Sequence, residues 1–493
     1  MSMGVGLFET LGLTNDASPD EIRHAYFEAA RRLHPDANPK ADAANQFMAI
    51  QKAYDALSNS EKRISYLISK AISEGRAPVI AQYQYSVDSL QAIEEEQYVY
   101  ALMEVINTEE AKTHVLPASN ICLVIDRSTS MQDKRIDMVK KAAYELMKQL
   151  KQDDWVSIVT FSDKAETIIP PTKVKKSMAS DPRIASIHTG GGTEILRGLE
   201  SGLEVLDNTS NKDANRHLVL MTDGHTYGDE EECLKLAQKA GEKGIIISAL
   251  GFGSEWNDTF LDRLTGLSGG TARLVLSIDD LKQFIRNQVS ALSKVFASNL
   301  TLRIEGSPQS KLVDIFRIYP DASPLPIDSQ IRFGNLPFNE RVKILLEFKV
   351  ATGLNEGETT TMLQGMLVMD IPTRKDPINR IELSMRRPVR DDQEKSSPPR
   401  ELVEAIEKLT LYRLQEKARE EEAAGDHESA TRHLKNLATR LLQKKESDNL
   451  GRMVLTEAEK IQSGEGYDAE AQKRIKYGTR ALLLPMAKEH KDD

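Results

Sequence analysis

Two cysteines in 493 residues are too few for a disulfide framework. Cys122 and Cys233 fall in a strand-like and a helix-like apolar run, which suits reduced, buried thiols. Long apolar runs are missing as well, since no window approaches the ~18 consecutive apolar residues that cross a bilayer. The amino-terminal MSMGVGLFETLGL has no basic region and meets Asn15 and Asp16 before an export-type apolar run can form. These absences predict a cytoplasmic chain. There is no basic excess either: 65 Lys and Arg against 75 Asp and Glu leave a formal charge of −10, so no global positive field is available for nucleic acid or an anionic membrane. Enzyme signatures are equally scarce. The sequence contains no Gly-x-x-x-x-Gly-Lys-Ser/Thr loop, no Gly-x-Gly-x-x-Gly, no Gly-x-Ser-x-Gly and no His-Glu-x-x-His. Gly251-Phe-Gly-Ser-Glu-Trp begins like a nucleotide fingerprint but ends in Trp256 and reads as a loop. The nine histidines are scattered, with no pair at ligand spacing. The expectation is a protein that is not an enzyme.

What is present is a foldable composition, with 40% hydrophobic and 28% charged residues, too apolar for a disordered chain. The length exceeds the roughly 250–300 residues that one core supports, so three or four domains are expected. Apolar residues first recur at helical spacing, as Ile22, Tyr26, Ala29 and Leu33, then Phe47, Ile50, Tyr54 and Leu57. Ser18-Pro19-Asp20-Glu21 is a helix start and Pro35 a helix stop, leaving the loop His34-Pro35-Asp36-Ala37-Asn38-Pro39 between two helices. Strand-like alternation follows at 82–87 and 98–105. The runs 120–125, 155–161, 217–222, 244–251 and 272–276 then alternate with helical patterns, which predicts a mostly parallel sheet covered on both faces. Two-residue alternation returns at 300–304, 344–350, 362–369 and 381–385. Because the few strands before the α/β unit cannot bury a face alone, they are expected to complete a sandwich with those after it. A polar linker from Asp391 leads to helices from Arg400 to about Met486, read as a packed bundle, with a tetratricopeptide-type hairpin as the alternative.

The His34-Pro35-Asp36 loop lies between two amphipathic helices, after Phe8-Glu-Thr-Leu-Gly-Leu and before Phe47, Ala53-Tyr54, Leu57-Ser58 and Arg63. In that setting residues 1–70 resemble the J-domain of DnaJ-type co-chaperones. The resemblance implies that His34, Pro35 and Asp36 contact a DnaK-type chaperone and stimulate its ATP hydrolysis, with Arg23, Arg31 and Arg32 facing its acidic surface. Phe27-Glu28 stand where many J-domains are basic, and Leu67 follows Tyr66 where aspartate is usual, which points to docking that is weaker or tuned to one chaperone.

A second constellation stands at predicted strand ends: Asp126-Arg-Ser128-Thr-Ser130, then Gly190-Gly-Gly-Thr193, then Asp223-Gly224. Singly, Ser128, Thr129 or Ser130 reads as a helix N-cap and Asp223-Gly224 as a turn. As an ordered set, each after a strand, they resemble the metal-ion-dependent adhesion site of von Willebrand factor A (VWA) domains. The resemblance implies a divalent cation, Mg²⁺ first and Mn²⁺ or Ca²⁺ as alternatives, held by Asp126, Ser128, Ser130, Thr193 and Asp223. One position would stay open for an acidic side chain of a partner protein. Hard cations of this kind take oxygen ligands. Asp133 reads as a helix-start acid, with a neighbouring ion site as the alternative.

The expected architecture is an all-α J-domain (1–70) and a discontinuous β-sandwich (77–116 and 298–390) carrying an inserted α/β, Rossmann-like VWA domain (117–297). A C-terminal helical domain (400–487) completes it. The whole is similar to bacterial cytosolic VWA proteins. The function expected is a non-enzymatic adaptor that captures a protein ligand at the metal and brings a DnaK-type chaperone to it. The alternative is a VWA partner subunit of a MoxR- or chelatase-like AAA+ ATPase. An exported adhesin is disfavoured by the absence of an export signal.

Overall fold

Helical spacing is realised first in the helices α1 (Leu7–Thr10), α2 (Pro19–Leu33) and α3 (Ala41–Leu57) of the computed structural model. The residues described are 6–13, 17, 19–34, 41–58, 62–63, 66, 78–108, 117–209, 214–224, 228–292, 294–372, 374, 376–390 and 397–484. Ile22, Leu33, Ile50 and Leu57 are buried in one cluster, with Tyr26, Ala29, Phe47 and Tyr54 packed around it. The Tyr26 and Tyr54 rings stack at 4.2 Å between centroids, joining the two long helices face to face.

Eleven strand residues, Gln97–Asn107 (β2), pair with β1 (Val79–Tyr85) on one side and β13 (Arg341–Val350) on the other, both antiparallel. Strands from before and after the central α/β unit therefore share one sheet, of order β1-β2-β13-β10-β11, where β10 is Ser310–Tyr319 and β11 is Ser323–Pro324. The facing sheet runs β12-β9-β14-β15, from Gln330–Pro337, Val295–Ile304, Thr359–Asp370 and Ile378–Pro388. Alternate residues of both sheets, among them Val105, Leu302, Ile344, Leu346, Leu367 and Met385, close one core, as inward-facing positions of a sandwich must.

Strands β10 and β12 were not legible from alternation: Gly334, with φ +87°, interrupts β12, and β10 is interrupted by Arg317. Its guanidinium is buried and donates to the carbonyls of Gly269 (2.7 Å), Gly270 (2.8 Å) and Phe333 (2.9 Å). A charged residue thus occupies an interior position and satisfies carbonyls of the α/β unit, breaking the apolar pattern that marks a strand.

The inserted unit has a six-stranded sheet, β5-β4-β3-β6-β7-β8, with β3 Ser119–Asp126, β4 Trp155–Phe161, β5 Ala165–Lys173, β6 Asn215–Thr222, β7 Ile245–Phe252 and β8 Ala272–Val275. All neighbours are parallel except β4 and β5, which form an antiparallel edge. β5 contains Pro170 and Pro171, tolerable at an edge where the ladder is one-sided. Successive β3 residues face opposite layers. Ile121, Leu123 and Ile125 pack on α4 (Lys134–Gln149) and α9 (Ile278–Leu292). Cys122 and Val124 pack on α6 (Ile195–Asp207), α7 (Glu230–Glu242) and α8 (Asp258–Gly266); the short α5 spans Pro182–Ala185. Both cysteines are buried and free.

Helices α10 (Arg400–Ala423), α11 (His427–Leu442), α12 (Asp448–Ser463) and α13 (Ala469–Ala481) form the C-terminal bundle around Leu434, Leu437, Leu441, Val454, Ile461 and Ile475. Leu402, Ala405 and Leu409 of α10 turn away from that core and cover Leu102, Phe316 and Leu345 on the outside of the sandwich. Tyr477 of α13 packs against Trp256 of the α/β unit, with ring centroids 5.8 Å apart. Among the described residues no helix is long and apolar enough to cross a membrane.

Candidate functional site

From β3 the chain runs to β4 and β5 on one side of the sheet and later resumes at β6 on the other. Neighbouring strands whose connections diverge leave a crevice at their carboxyl ends, where open α/β sheets bind ligands. Asp126 ends β3, and Asp223 directly follows β6.

Both carboxylates are fully buried. Asp126 Oδ1 accepts from the Ser128 backbone N–H at 2.8 Å, and Oδ2 accepts from Thr222 Oγ1 at 2.7 Å. The Ser128 and Ser130 hydroxyls lie 3.0 Å apart, and Ser130 Oγ donates to Asp223 Oδ1 at 2.7 Å. Four of the five expected ligands therefore form one hydrogen-bonded group. Thr193 arrives from another loop: a Cβ added to Gly224 would lie 3.3 Å from its Oγ1, so its side chain rests on the Asp223-Gly224 turn.

The loop carrying Thr193 is tied down by backbone. Gly190 N–H donates to Arg127 O (2.7 Å), while Thr129 donates to Gly191 O from both its backbone N–H (3.1 Å) and its hydroxyl (3.0 Å). Gly191 has φ +88°, which favours glycine, and a Cβ there would also push on the Asp163 carboxylate at 2.5 Å. Helix α6, which follows the loop, sits close on the sheet because Gly202 faces Val124.

Burial pushes the Asp126 carboxyl up to about 6, opposed by the hydrogen bonds from Ser128 and Thr222 and reinforced by the like charge of Asp223. Two buried acids with three hydroxyls nearby make an oxygen-only donor set that suits a hard divalent cation, whose charge would offset their repulsion. Its two carboxylates are joined by hydroxyls and not by further acids: among the described residues no group of three or more His, Cys, Asp or Glu is placed to hold a metal ion. The donor set thus fits the implied ion. Asp133 occupies the N-cap position of α4 but makes no side-chain cap, and its φ is +61°.

One neighbour was missed from the sequence. Arg135, in the first turn of α4, donates from Nη1 to Asp223 Oδ2 and, at 3.1 Å, to the Ser130 carbonyl. The sequence signals only that the position is unusual, since Lys134 and Arg135 are cations at a helix N-terminus, where the dipole disfavours them; it does not name Asp223 as the partner.

At the other end of the chain, His34 is exposed and its ring meets Phe47 edge-on at 5.5 Å. Arg23, Arg31 and Arg32 are exposed on α2. Pro35 and Asp36 lie outside the described residues.

Residues 6–66 match the DnaJ domain family and residues 120–289 the von Willebrand factor type A domain family. The chain joins a DnaJ domain to a VWA domain. Residues 400–485 match the Sll0103-like C-terminal alpha-helical domain. The chain is 27% identical over 381 residues to the uncharacterized protein sll0103 of Synechocystis, covering 74% of this chain and 88% of that one. Its J-domain is 46% identical over 59 residues to the chaperone protein DnaJ of Leifsonia xyli, 12% of this chain and 16% of that one. In fold it resembles a von Willebrand factor type A protein from Catenulispora acidiphila (TM-score 0.63, 15% identity), over 83% of this chain and 97% of that one. It also resembles the ArnB paralog VWA2 from Sulfolobus acidocaldarius (TM-score 0.53, 17% identity), over 83% and 100% respectively. The VWA domain is thus the inserted sheet, and the candidate site stands at its switch point.

Proposed function

We propose that the protein is a cytoplasmic, non-enzymatic adaptor that captures a partner protein at a divalent cation on the VWA domain and delivers a DnaK-type chaperone to it. The observation that carries this reading is the convergence of Asp126, Ser128, Ser130 and Asp223 into one hydrogen-bonded oxygen cluster, its two carboxylates buried and Ser130 at the surface, with Thr193 alongside. Those five residues would hold the ion, Mg²⁺ fitting an all-oxygen set with few charged ligands. When bound, the ion supplies an electrophilic position for an Asp or Glu of the partner. The protein's own part is to keep both carboxylates dry and to fix the serine hydroxyls through the turn after β3.

The J-domain supports the second half of the reading, because DnaJ domains in general pair with DnaK-type chaperones. His34, Pro35 and Asp36 would make the docking contact, and Arg23, Arg31 and Arg32 present positive charge beside it for an acidic surface. The test is affinity capture from cell extract with the full chain, in Mg²⁺ and in chelator, for wild type and His34→Gln. Chelator is expected to release the client alone, and His34→Gln the chaperone alone. Client capture unaffected by chelator and by Asp126→Ala would refute the metal-bridged reading. A hexameric AAA+ ATPase in place of a DnaK homologue would refute the co-chaperone reading.

A further inference from the structure

We infer that Arg135 is a tethered cation that occupies Asp223 in the ion's absence and must be displaced for the divalent cation to bind, so that it sets the site's metal affinity. This rests on the oxygen cluster being a cation site. Asp223 is fully buried, whereas the Arg135 side chain is 33% exposed, so the guanidinium lies between that carboxylate and solvent. Its Nη1 contacts Asp223 Oδ2, and the other oxygen, Oδ1, already accepts from Ser130. An ion drawing on Asp223 therefore competes with the guanidinium for the oxygen that Ser130 leaves free.

The contact is built from three separate segments. The turn after β3 provides the Ser130 carbonyl at 3.1 Å. The end of β6 provides Asp223. The end of β7 provides Gly253, with φ +73°, where a Cβ would approach Arg135 Nη2 to 2.7 Å. The arginine therefore packs directly against the Gly253 backbone, where a side chain would crowd the guanidinium, at a helix start where a cation is otherwise unfavourable.

Competition of this kind weakens apparent affinity by the strength of the internal contact. A charge-assisted hydrogen bond at a partly exposed site gives a factor of about ten, or about 1.4 kcal/mol. The test is Mn²⁺ binding to the full-length protein by calorimetry, comparing wild type, Arg135→Gln, Arg135→Ala and Lys134→Gln. Lys134 is exposed and one residue away, so its loss changes net charge equally without touching Asp223. Melting curves without metal check that each variant is folded. Both Arg135 variants are expected to bind Mn²⁺ about tenfold more tightly and to show a larger metal-induced rise in melting temperature, with Lys134→Gln near wild type. Unchanged or weaker binding in the Arg135 variants overturns the proposal, as does an equal gain in Lys134→Gln, and either leaves the site reading intact. No Mn²⁺ binding by any protein, wild type included, overturns the site reading and this inference with it.

Discussion

Removing the guanidinium of Arg480 is expected to loosen the C-terminal bundle from the VWA domain. Asp258 and Asp262 lie one turn apart on α8 and face Lys476 and Arg480, one turn apart on α13. Arg480 grips Asp262 with two parallel bonds, 2.8 and 2.7 Å, at a position 4% exposed, and Lys476 Nζ lies 2.7 Å from the same carboxylate. Arg419 of α10 holds Asp258 similarly, at 2.8 and 3.0 Å. Removing one partner of a buried pair costs about 3–5 kcal/mol. Because Lys476 remains beside Asp262, Arg480→Ala is expected near the lower limit, about 3 kcal/mol. Removing both partners avoids a stranded charge, so the Asp262→Ala/Arg480→Ala double variant should cost about 2 kcal/mol less than the sum of the singles. Urea unfolding followed by tryptophan fluorescence suits the measurement, since there are two tryptophans and Trp256 is buried against Tyr477. An Arg480→Ala protein within about 0.5 kcal/mol of wild type, or additive single variants, would refute the claim that this network fastens the two domains.

Two further outcomes are expected. Asp126→Ala and Asp223→Ala should each abolish the rise in melting temperature that Mg²⁺ or Mn²⁺ gives the wild type, since a ligand bound only by the folded state stabilises it by mass action; a persisting shift would place the ion elsewhere. His217 should make the fold more sensitive to acid. Burial holds His217 on β6 down at about 4, so its neutral form stabilises the fold fully above the unfolded value of ~6.5 and is lost as pH falls from there to about 4, on the order of 3 kcal/mol. Asp262 is desolvated by burial, yet Arg480 and Lys476 hold its carboxyl below the usual range, so its contribution is lost only below about pH 4. Melting temperature against pH for wild type and His217→Gln separates the two, and an unchanged acid limb between pH 6.5 and 4 in the variant would contradict the assignment.

Much of the fold was readable because its signals are local. The spacing of Ile22, Tyr26, Ala29 and Leu33 marks a helix face whatever it packs against, and 155–161 reads as a strand from neighbours alone. Strands β5, β10 and β12 escaped because Pro170-Pro171, Arg317 and Gly334 are unsuited to strands unless the edge position or the partner carbonyls are known. The candidate site was readable as an ordered set of oxygen-bearing residues, with Asp126 and Asp223 at strand ends as expected, whereas Thr193 follows the helix Pro182–Ala185 and not a strand. Arg135 was not part of that set, because its relation to Asp223 spans 88 positions and exists only through packing.

By itself the sequence determined the identity and order of the parts: a helical hairpin around His34, an α/β unit with acids at its strand ends, and a helical tail. Hydrogen-bond periodicity and turn chemistry act over a few residues and so are written along the chain. Tertiary structure alone decided that β2 pairs with β13 around the insertion, that Asp258 and Asp262 meet Lys476 and Arg480, and that a guanidinium sits on Asp223. Those contacts join residues far apart in the chain, and their energies arise only when water is excluded between them.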